Sequence, residues 1–376
     1  MIYLDNAATS FIKPRCVYEA TINAMVRNSA NAGRGGYNAA ISSNEILYNT
    51  RENLARLFNI KNPERISFCY NTTHALNSGI KGVLSYGDHV IISSMEHNSV
   101  LRPIKALEKQ KRISVSIVQA NDKCEIDEET INHHIRPNTK LICMTHSSNV
   151  CGSITDINKI SEIAHNHNAL FMVDSAQSAG VLDIDASRLD LLAFPGHKGL
   201  MGPMGTGGLY VRDGLELNTI IEGGTGSLSE SPYQPEFMPD RLESGTQNIP
   251  AIAGLGSAVE FILKTGIKNI REREEYLLKM FEERIKEIKN VTIYGSDNKT
   301  SICALNIKNA DCVEVAGILN ERYDIAVRAG LHCSSLAHKT LGTDKTGCIR
   351  FSFGYFNTEE EIKKAADAVY QISKEF

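Results

Sequence analysis

Between residues 65 and 211 the chain alternates short apolar runs with longer, more polar stretches. Runs of this length that end at glycine, proline, asparagine or aspartate are typical of buried strands. Strands that alternate with helices favour a mainly parallel sheet with helices on both faces, an α/β fold. The predicted strands cover residues 65–70, 89–93, 115–118, 140–145, 169–173, 191–194 and 207–211.

The segments outside this alternation predict an arm and a second, smaller domain. Residues 1–13 form the arm, helices are expected over about 14–27 and 42–58, and residues 29–36 are polar and glycine-rich. Residues 213–250 lack any period, and a loop of that length usually serves a function or a subunit contact. We therefore expect a large α/β domain over 14–252 and a small α+β domain over 253–376. Within the latter, Thr358 and Glu361 predict a capping box at the start of the last helix.

Composition excludes several classes of protein. The chain has 376 residues, is 42% hydrophobic and has a net charge of −4, so neither nucleic acid nor a membrane is indicated as a partner. No apolar run approaches the ~20 residues of a membrane span, and the cytoplasm is the expected compartment. The nine cysteines are scattered without zinc spacing, so no metal site is predicted. They are expected to be reduced, and Cys69 and Cys143 to be small core residues.

Polar side chains follow five of the predicted strands. In an open α/β sheet, the carboxyl ends of parallel strands form the edge where ligands bind. Each pair alone is more often a helix cap or turn chemistry, but their joint occurrence at one edge is much less expected by chance. The five sets are Thr72 and Thr73, Glu96 and His97, Ser148 and Asn149, Asp174 and Gln177, and His197 and Lys198.

The residue types at this edge match what pyridoxal 5′-phosphate requires. A lysine past a strand end can bond to the cofactor aldehyde, and a buried carboxylate such as Asp174 keeps the pyridine nitrogen protonated. The phosphate suits the hydroxyls and N–H groups at a helix start, with His197 in reach. His97 would cover the ring face, and Gln177 would donate to the 3′-oxygen. The alternative is that Lys198 is a surface residue in a glycine-rich turn, and in that case none of these groups would lie beside it.

Motifs along nearly the whole chain carry a family resemblance. Residues 173–177 (VDSAQ), 196–198 (GHK), 95–97 (MEH) and 145–149 (THSSN) resemble the fold-type-I pyridoxal-phosphate enzymes of aminotransferase class V. Residues 328–333 (RAGLHC) resemble the R-x-G-H-H-C segment of the cysteine desulfurases, in their SufS-like or selenocysteine-lyase-like branch.

The resemblance implies a function and further site residues. Lys198 would be the general base, and Cys333 would take sulfur from L-cysteine as a persulfide, leaving L-alanine. Arg350 would bind the substrate carboxylate, with Asn149 and Arg328 close to the substrate, and Thr246 would reach the cofactor phosphate of a neighbouring subunit. A homodimer is therefore implied, as are a sulfur-acceptor protein and a place in iron–sulfur cluster assembly.

The sequence departs from the family pattern at three positions. Leu331 replaces the first histidine of the usual pair, Ser334 follows the cysteine where alanine is common, and Pro195 stands where a serine or threonine often contacts the phosphate. A free thiol has a pKa of about 8.5, so Cys333 would need help from a neighbour such as His332. Selenocysteine lyase remains an alternative, as do a class-V aminotransferase or β-lyase in which Cys333 is incidental and a cofactor-free scaffold.

Overall fold

A computed structural model describes residues 1–28, 30–32 and 35–376, so Ser29, Gly33 and Arg34 of the predicted polar stretch lie outside the described residues. Its largest element is a seven-stranded sheet with the spatial order β2-β8-β7-β6-β5-β3-β4. The strands are β2 (Ile66–Cys69), β3 (His89–Ser93), β4 (Ser114–Val118), β5 (Thr139–Thr145), β6 (Leu170–Asp174), β7 (Leu191–Pro195) and β8 (Gly207–Val211).

The sheet is mainly parallel, as predicted. Strands β4, β3, β5, β6 and β7 pair in parallel in that spatial order, while β8 is antiparallel to both β7 and β2. Two reversals in succession make β2 run in the same direction as β7. The carboxyl ends of β2, β3, β5, β6 and β7 therefore lie at one edge of the sheet.

Both faces of the sheet are covered, which explains why its strands are apolar without alternation. Leu192 and Phe194 of β7 pack into one hydrophobic cluster, and Leu191 and Ala193 pack into another on the opposite face. Helices cover these clusters. The helices of the chain are α1 (Arg15–Arg27), α2 (Asn38–Leu57), α3 (Thr72–Val83), α4 (Asn98–Lys109), α5 (Glu128–His134), α6 (Ile157–Asn166), α7 (Ile249–Thr265), α8 (Ile267–Ile285), α9 (Cys312–Tyr323), α10 (Ser335–Thr340) and α11 (Glu359–Ser373).

The C-terminal part forms an antiparallel sheet of its own with the order β12-β13-β10-β9. Its hydrophobic cluster packs α8, α9 and α11 against the sheet and includes Leu4 of the N-terminal arm. The arm also pairs β1 with β11 in parallel. The strands are β1 (Ile2–Tyr3), β9 (Val291–Tyr294), β10 (Ile302–Ile307), β11 (Ile325–Ala326), β12 (Arg328–Gly330) and β13 (Cys348–Ser352).

Most of the predicted elements are confirmed within a few residues, and the differences are local. The capping box of Thr358 and Glu361 is present. The strand expected over 325–327 is split into β11 and β12, which join different sheets. Residues 213–248 contain no helix or strand, as expected. The division of the chain at 252/253 stays a prediction. Leu255 and Val259 of α7 pack with the core of the large sheet.

No single helix of the described residues is both long and apolar enough to cross a membrane. One pair, α7 and α8, meets the length and composition criteria only when the two are taken together across a bend of 84°.

Candidate active site

Most of the polar residues that follow the strands, though not Ser148 or Glu96, line one cavity of about 220 Å3 at the carboxyl edge of the sheet. The cavity also takes in side chains that the sequence did not single out, Ser99 and Ser147 among them. The predicted residues in its wall are Thr72, Thr73, His97, Asn149, Asp174, Gln177, His197 and Lys198. Glu96 is absent from this wall. It is buried, and its Oε1 accepts from Ser93 Oγ at 2.5 Å and from the Thr145 N–H at 3.0 Å, joining the ends of β3 and β5.

Lys198 and Asp174 are the charged pair of the cavity. Burial lowers the pKa of the Lys198 amine to about 8, with the Arg350 guanidinium adding to the shift and Asp174 opposing it. Burial raises the pKa of the Asp174 carboxyl, which the Ala176 N–H at 2.9 Å and Lys198 counteract. A pKa near 8 leaves about one Lys198 side chain in ten uncharged at pH 7. The amine is therefore available both as a nucleophile and as a base.

The starts of α3 and α4 form the opposite wall. Thr73 Oγ1 lies 2.7 Å from Ser99 Oγ, which lies 2.9 Å from His97 Nδ1, so a chain of hydrogen bonds orients the His97 ring. Burial lowers the pKa of His97 to about 4, with the positive charge of Lys198 adding to the shift. The ring is therefore neutral at pH 7, as a residue stacked on an aromatic cofactor would be.

The N-terminal arm holds two of the cavity residues. Gln177 Nε2 donates to the Ala7 carbonyl at 3.0 Å, and His197 Nδ1 lies 3.1 Å from Thr9 Oγ1. Burial lowers the pKa of His197 to about 4, with Lys198 adding to the shift. The arm predicted over 1–13 is thus part of the site as well as of the C-terminal core.

Arg350 is fully buried on β13 and is already engaged on one side. Its Nη1 donates to the Asn149 carbonyl at 2.8 Å, and its Nη2 donates to Asp5 Oδ1 at 2.6 Å. Its Nε, by contrast, is buried without a partner among the described residues. An orphaned donor on a buried guanidinium is costly, and Arg350 is not among the residues that line the cavity of Lys198.

Cys333 is set apart from the other cysteines by its exposure. All nine cysteines lie in the described part of the chain as free thiols, and Cys333 alone is exposed. Cys69 and Cys143 are buried, as predicted. Only an accessible thiol can receive a sulfur atom and pass it on.

The loop that bears Cys333 is fastened to the rim of the cavity at three points. The N–H of Asn98, the residue that follows His97 in the chain, donates to the Cys333 carbonyl at 2.8 Å. Asn149 Nδ2 donates to the His332 carbonyl at 2.7 Å, and Asn149 Oδ1 accepts from Ser334 Oγ at 2.6 Å. Asn149 therefore lines the cavity and clamps the Cys333 loop at the same time.

The neighbours of the thiol differ from the expectation. His332 is buried, and both of its ring nitrogens have other partners, His338 and the Arg328 carbonyl. Arg328 instead lies beside the thiol, with Nη2 3.7 Å from Cys333 Sγ. Arg328, which the resemblance assigned to substrate binding, is therefore also the partner of the sulfur.

Thr246 does not reach the Lys198 cavity of its own chain. It is exposed and lines a different cavity of about 330 Å3, together with Tyr48, Arg51 and Asp240.

Sequence reasoning missed Ser99, Ser334 and Asp5 as functional residues. Ser99 lies two residues after His97 in the sequence, and this proximity to a predicted site residue was a usable signal. The contacts of Ser334 and Asp5 span 185 and 345 residues and had none.

Comparison with known proteins agrees with this geometry. The sequence model of the aminotransferase class-V family matches residues 2–365. A probable cysteine desulfurase of Methanothermobacter thermautotrophicus is 35% identical over 99% of this chain and 94% of its own. The apo structure of the cysteine desulfurase of Thermococcus onnurineus superimposes with a TM-score of 0.93 at 30% identity, covering 100% of this chain and 95% of that one. A cysteine desulfurase structure from Escherichia coli gives 0.90 at 27% identity, covering 100% and 94%.

The chain therefore belongs to the aminotransferase class-V family and, within it, to the cysteine desulfurases. It shares the fold of the pyridoxal-phosphate enzymes of fold type I, a mainly parallel sheet with a smaller C-terminal α+β part.

Proposed function

We propose that this enzyme removes sulfur from L-cysteine, leaves L-alanine and collects the sulfur on Cys333 as a persulfide for an acceptor protein. The observation that supports this most directly is the attachment of the Cys333 loop to the cavity of Lys198 and Asp174. Asn149 lines that cavity and hydrogen-bonds to both neighbours of Cys333. A class-V aminotransferase would have no use for an exposed thiol at that rim.

The residues of the cavity fit pyridoxal 5′-phosphate. Lys198 would hold the aldehyde, Asp174 the pyridine nitrogen, and Gln177 the 3′-oxygen, while His97 would cover the ring. The hydroxyls of Thr72 and Thr73 at the start of α3, with His197, suit the phosphate. When bound, the cofactor supplies an electron sink for negative charge at the α-carbon of the substrate. The buried carboxylate of Asp174 supports this fit because only a cationic partner compensates its burial.

The side chains then divide the work. Arg350 would hold the substrate carboxylate with its guanidinium, which Asp5 and Asn149 keep in place. The uncharged amine of Lys198 takes the α-proton. Cys333 Sγ, beside Arg328, would form a bond to the substrate sulfur while the bond between that sulfur and the β-carbon breaks. The electron pair of the broken bond stays with the β-carbon, which takes up a proton and becomes the methyl group of alanine.

We further propose a homodimer in which Thr246 serves the site of the partner subunit. Two observations support this: Thr246 is exposed, and it lines a cavity separate from that of Lys198. Sedimentation should show a dimer. A fully active monomer would exclude the shared site.

The test of the proposed function compares Cys333→Ala with Cys16→Ala, which alters a partly buried thiol whose Sγ lies 3.8 Å from the Ser257 carbonyl. Cys333→Ala should retain pyridoxal phosphate and bind cysteine, yet produce little sulfide with a thiol reductant present. Cys16→Ala should match the unmodified enzyme in cofactor retention, in cysteine binding and in sulfide production. Near-normal sulfide production by Cys333→Ala would refute the persulfide mechanism and favour a β-lyase. Running the assay with selenocysteine in parallel separates sulfur from selenium specificity.

A further inference from the structure

Behind the Cys333 loop lies a buried cluster that the proposed reaction does not use. It consists of His332, His338 and Cys348, which are 3%, 0% and 0% exposed. The three residues come from successive segments of the chain, namely the loop after β12, the helix α10 and the first position of β13. None of them lines the cavity of Lys198. Their proximity is therefore a feature in its own right.

The three donor atoms are spaced as ligands of one small cation. His332 Nδ1 lies 3.3 Å from His338 Nε2 and 3.9 Å from Cys348 Sγ, and all three atoms lie within 4.8 Å of one another. Metal bonds of about 2.0 Å to nitrogen and about 2.3 Å to sulfur place two nitrogens about 3.3–3.6 Å apart, and nitrogen and sulfur about 3.6–3.8 Å apart. The nitrogen–nitrogen distance of 3.3 Å falls within this range and the nitrogen–sulfur distance of 3.9 Å lies just outside it, so small side-chain movements would close the cluster around one ion.

The outer nitrogen of each imidazole also has the partner that a metal-bound histidine needs. His332 Nε2 lies 3.3 Å from the Arg328 carbonyl, and His338 Nδ1 lies 2.8 Å from Thr343 Oγ1. The Arg328 carbonyl can only accept, so His332 Nε2 carries the proton and His332 Nδ1 offers a lone pair to the cluster. The Thr343 hydroxyl can accept from His338 Nδ1, and in that tautomer His338 Nε2 offers a second lone pair that a cation can share.

Charge selects the kind of cation. Two neutral imidazoles and one thiolate contribute a charge of −1, and the nearby guanidinium groups of Arg350 and Arg328 already disfavour positive charge at His332. A monovalent cation gives a neutral centre, whereas Zn²⁺ would leave one uncompensated positive charge in the interior. Thiolate and imidazole together suit copper(I), which accepts three ligands, whereas structural zinc is almost always four-coordinate.

We propose that His332, His338 and Cys348 form a three-coordinate site for copper(I). Binding displaces the thiol proton of Cys348, so one proton is released for each cation bound. Because a proton leaves when the cation binds, the apparent affinity increases with pH. The bound cation would join the segment next to Cys333 to β13. The site is independent of the cofactor chemistry, and its test does not depend on activity.

The test measures copper(I) binding to the purified full chain under anaerobic conditions, in competition with a chromogenic copper(I) chelator. A Cys333→Ser background removes the exposed thiol as an alternative ligand. In that background we expect one copper(I) per chain, with X-ray absorption showing two imidazole nitrogens and one sulfur. Zn²⁺, measured by the same kind of competition with a zinc chelator, should bind to the chain more weakly than copper(I).

Adding Cys348→Ser should lower the affinity at least about 100-fold, because loss of an outer-shell partner alone typically costs 10- to 100-fold. Cys124→Ser is the matched control, since Cys124 is another buried thiol of the same hydrophobic cluster. If Cys348→Ser fails to fold, His338→Gln tests the same site. Absence of stoichiometric copper, equal affinity in the Cys348 variant, or loss in the Cys124 variant would each overturn the proposal.

Discussion

Ser334→Ala should loosen the Cys333 loop without affecting the cofactor cavity. Ser334 is fully buried, and its hydroxyl donates to Asn149 Oδ1 at 2.6 Å. Alanine removes the donor and leaves a buried carbonyl oxygen unpaired, which costs about 1–3 kcal/mol. The Asn149 amide also loses the contact that fixes its rotation, so its bond to the His332 carbonyl weakens as well.

A cost of about 1.4 kcal/mol lowers the ratio of fastened to released loop about tenfold. We therefore expect sulfide production to fall roughly five- to tenfold while affinity for pyridoxal phosphate stays unchanged. The loop itself is measured by the rate at which an alkylating reagent modifies Cys333, which should change in the variant.

Two companion variants separate positioning from simple structural damage. Ser334→Thr keeps the hydroxyl and should restore most of the sulfide production. Ser335→Ala alters the exposed neighbouring residue and should have no effect. If Ser334→Ala shows both the alkylation rate and the turnover of the unmodified enzyme, the clamp at Asn149 does not position Cys333.

Three other outcomes follow from the charges in the structure. Uptake of pyridoxal phosphate by the apo-protein needs the uncharged amine of Lys198, so the uptake rate should rise with pH and level off above about pH 8. Because Asp174 raises the pKa of the lysine, Asp174→Asn should move this plateau to lower pH. Arg350→Lys keeps the positive charge but not the planar guanidinium that binds a carboxylate through two N–H groups. The KM for cysteine in the sulfide assay should therefore rise at least about tenfold, with the cofactor retained. Glu243→Gln breaks the buried pair with Arg51 and should lower the free energy of unfolding in a denaturant titration by about 3–5 kcal/mol; a loss below 1 kcal/mol would contradict the pair's importance.

The parts of the site that follow directly from a strand could be predicted from the sequence. Asp174 ends β6 and Lys198 lies three residues after β7, so a buried apolar run followed at once by a polar residue identifies both. The direction of β8 could not be predicted, because an apolar strand buried on both faces has the same pattern whether it runs parallel or antiparallel.

Contacts between distant segments also leave no local pattern. Asp5 and Arg350 meet because the N-terminal arm lies alongside β13, and Asn149 and Ser334 meet because the C-terminal part packs against the large sheet. For His332 the expectation from its position beside Cys333 was misleading. Adjacent residues in an irregular loop can point in different directions, and here one is buried while the other is exposed.

The backbone at Cys333 has a consequence for anyone who would copy this loop into another protein. His332 and Cys333 have φ angles of 48° and 58°, two consecutive left-handed residues without a glycine. Each costs of order 1–2 kcal/mol in L-amino acids. A free peptide of residues 328–334 would therefore relax to another shape, since the amides of Asn98 and Asn149 are what hold this one. A transplanted loop would need the side chain of Asn149 and a backbone N–H at the position of Asn98 to keep its shape.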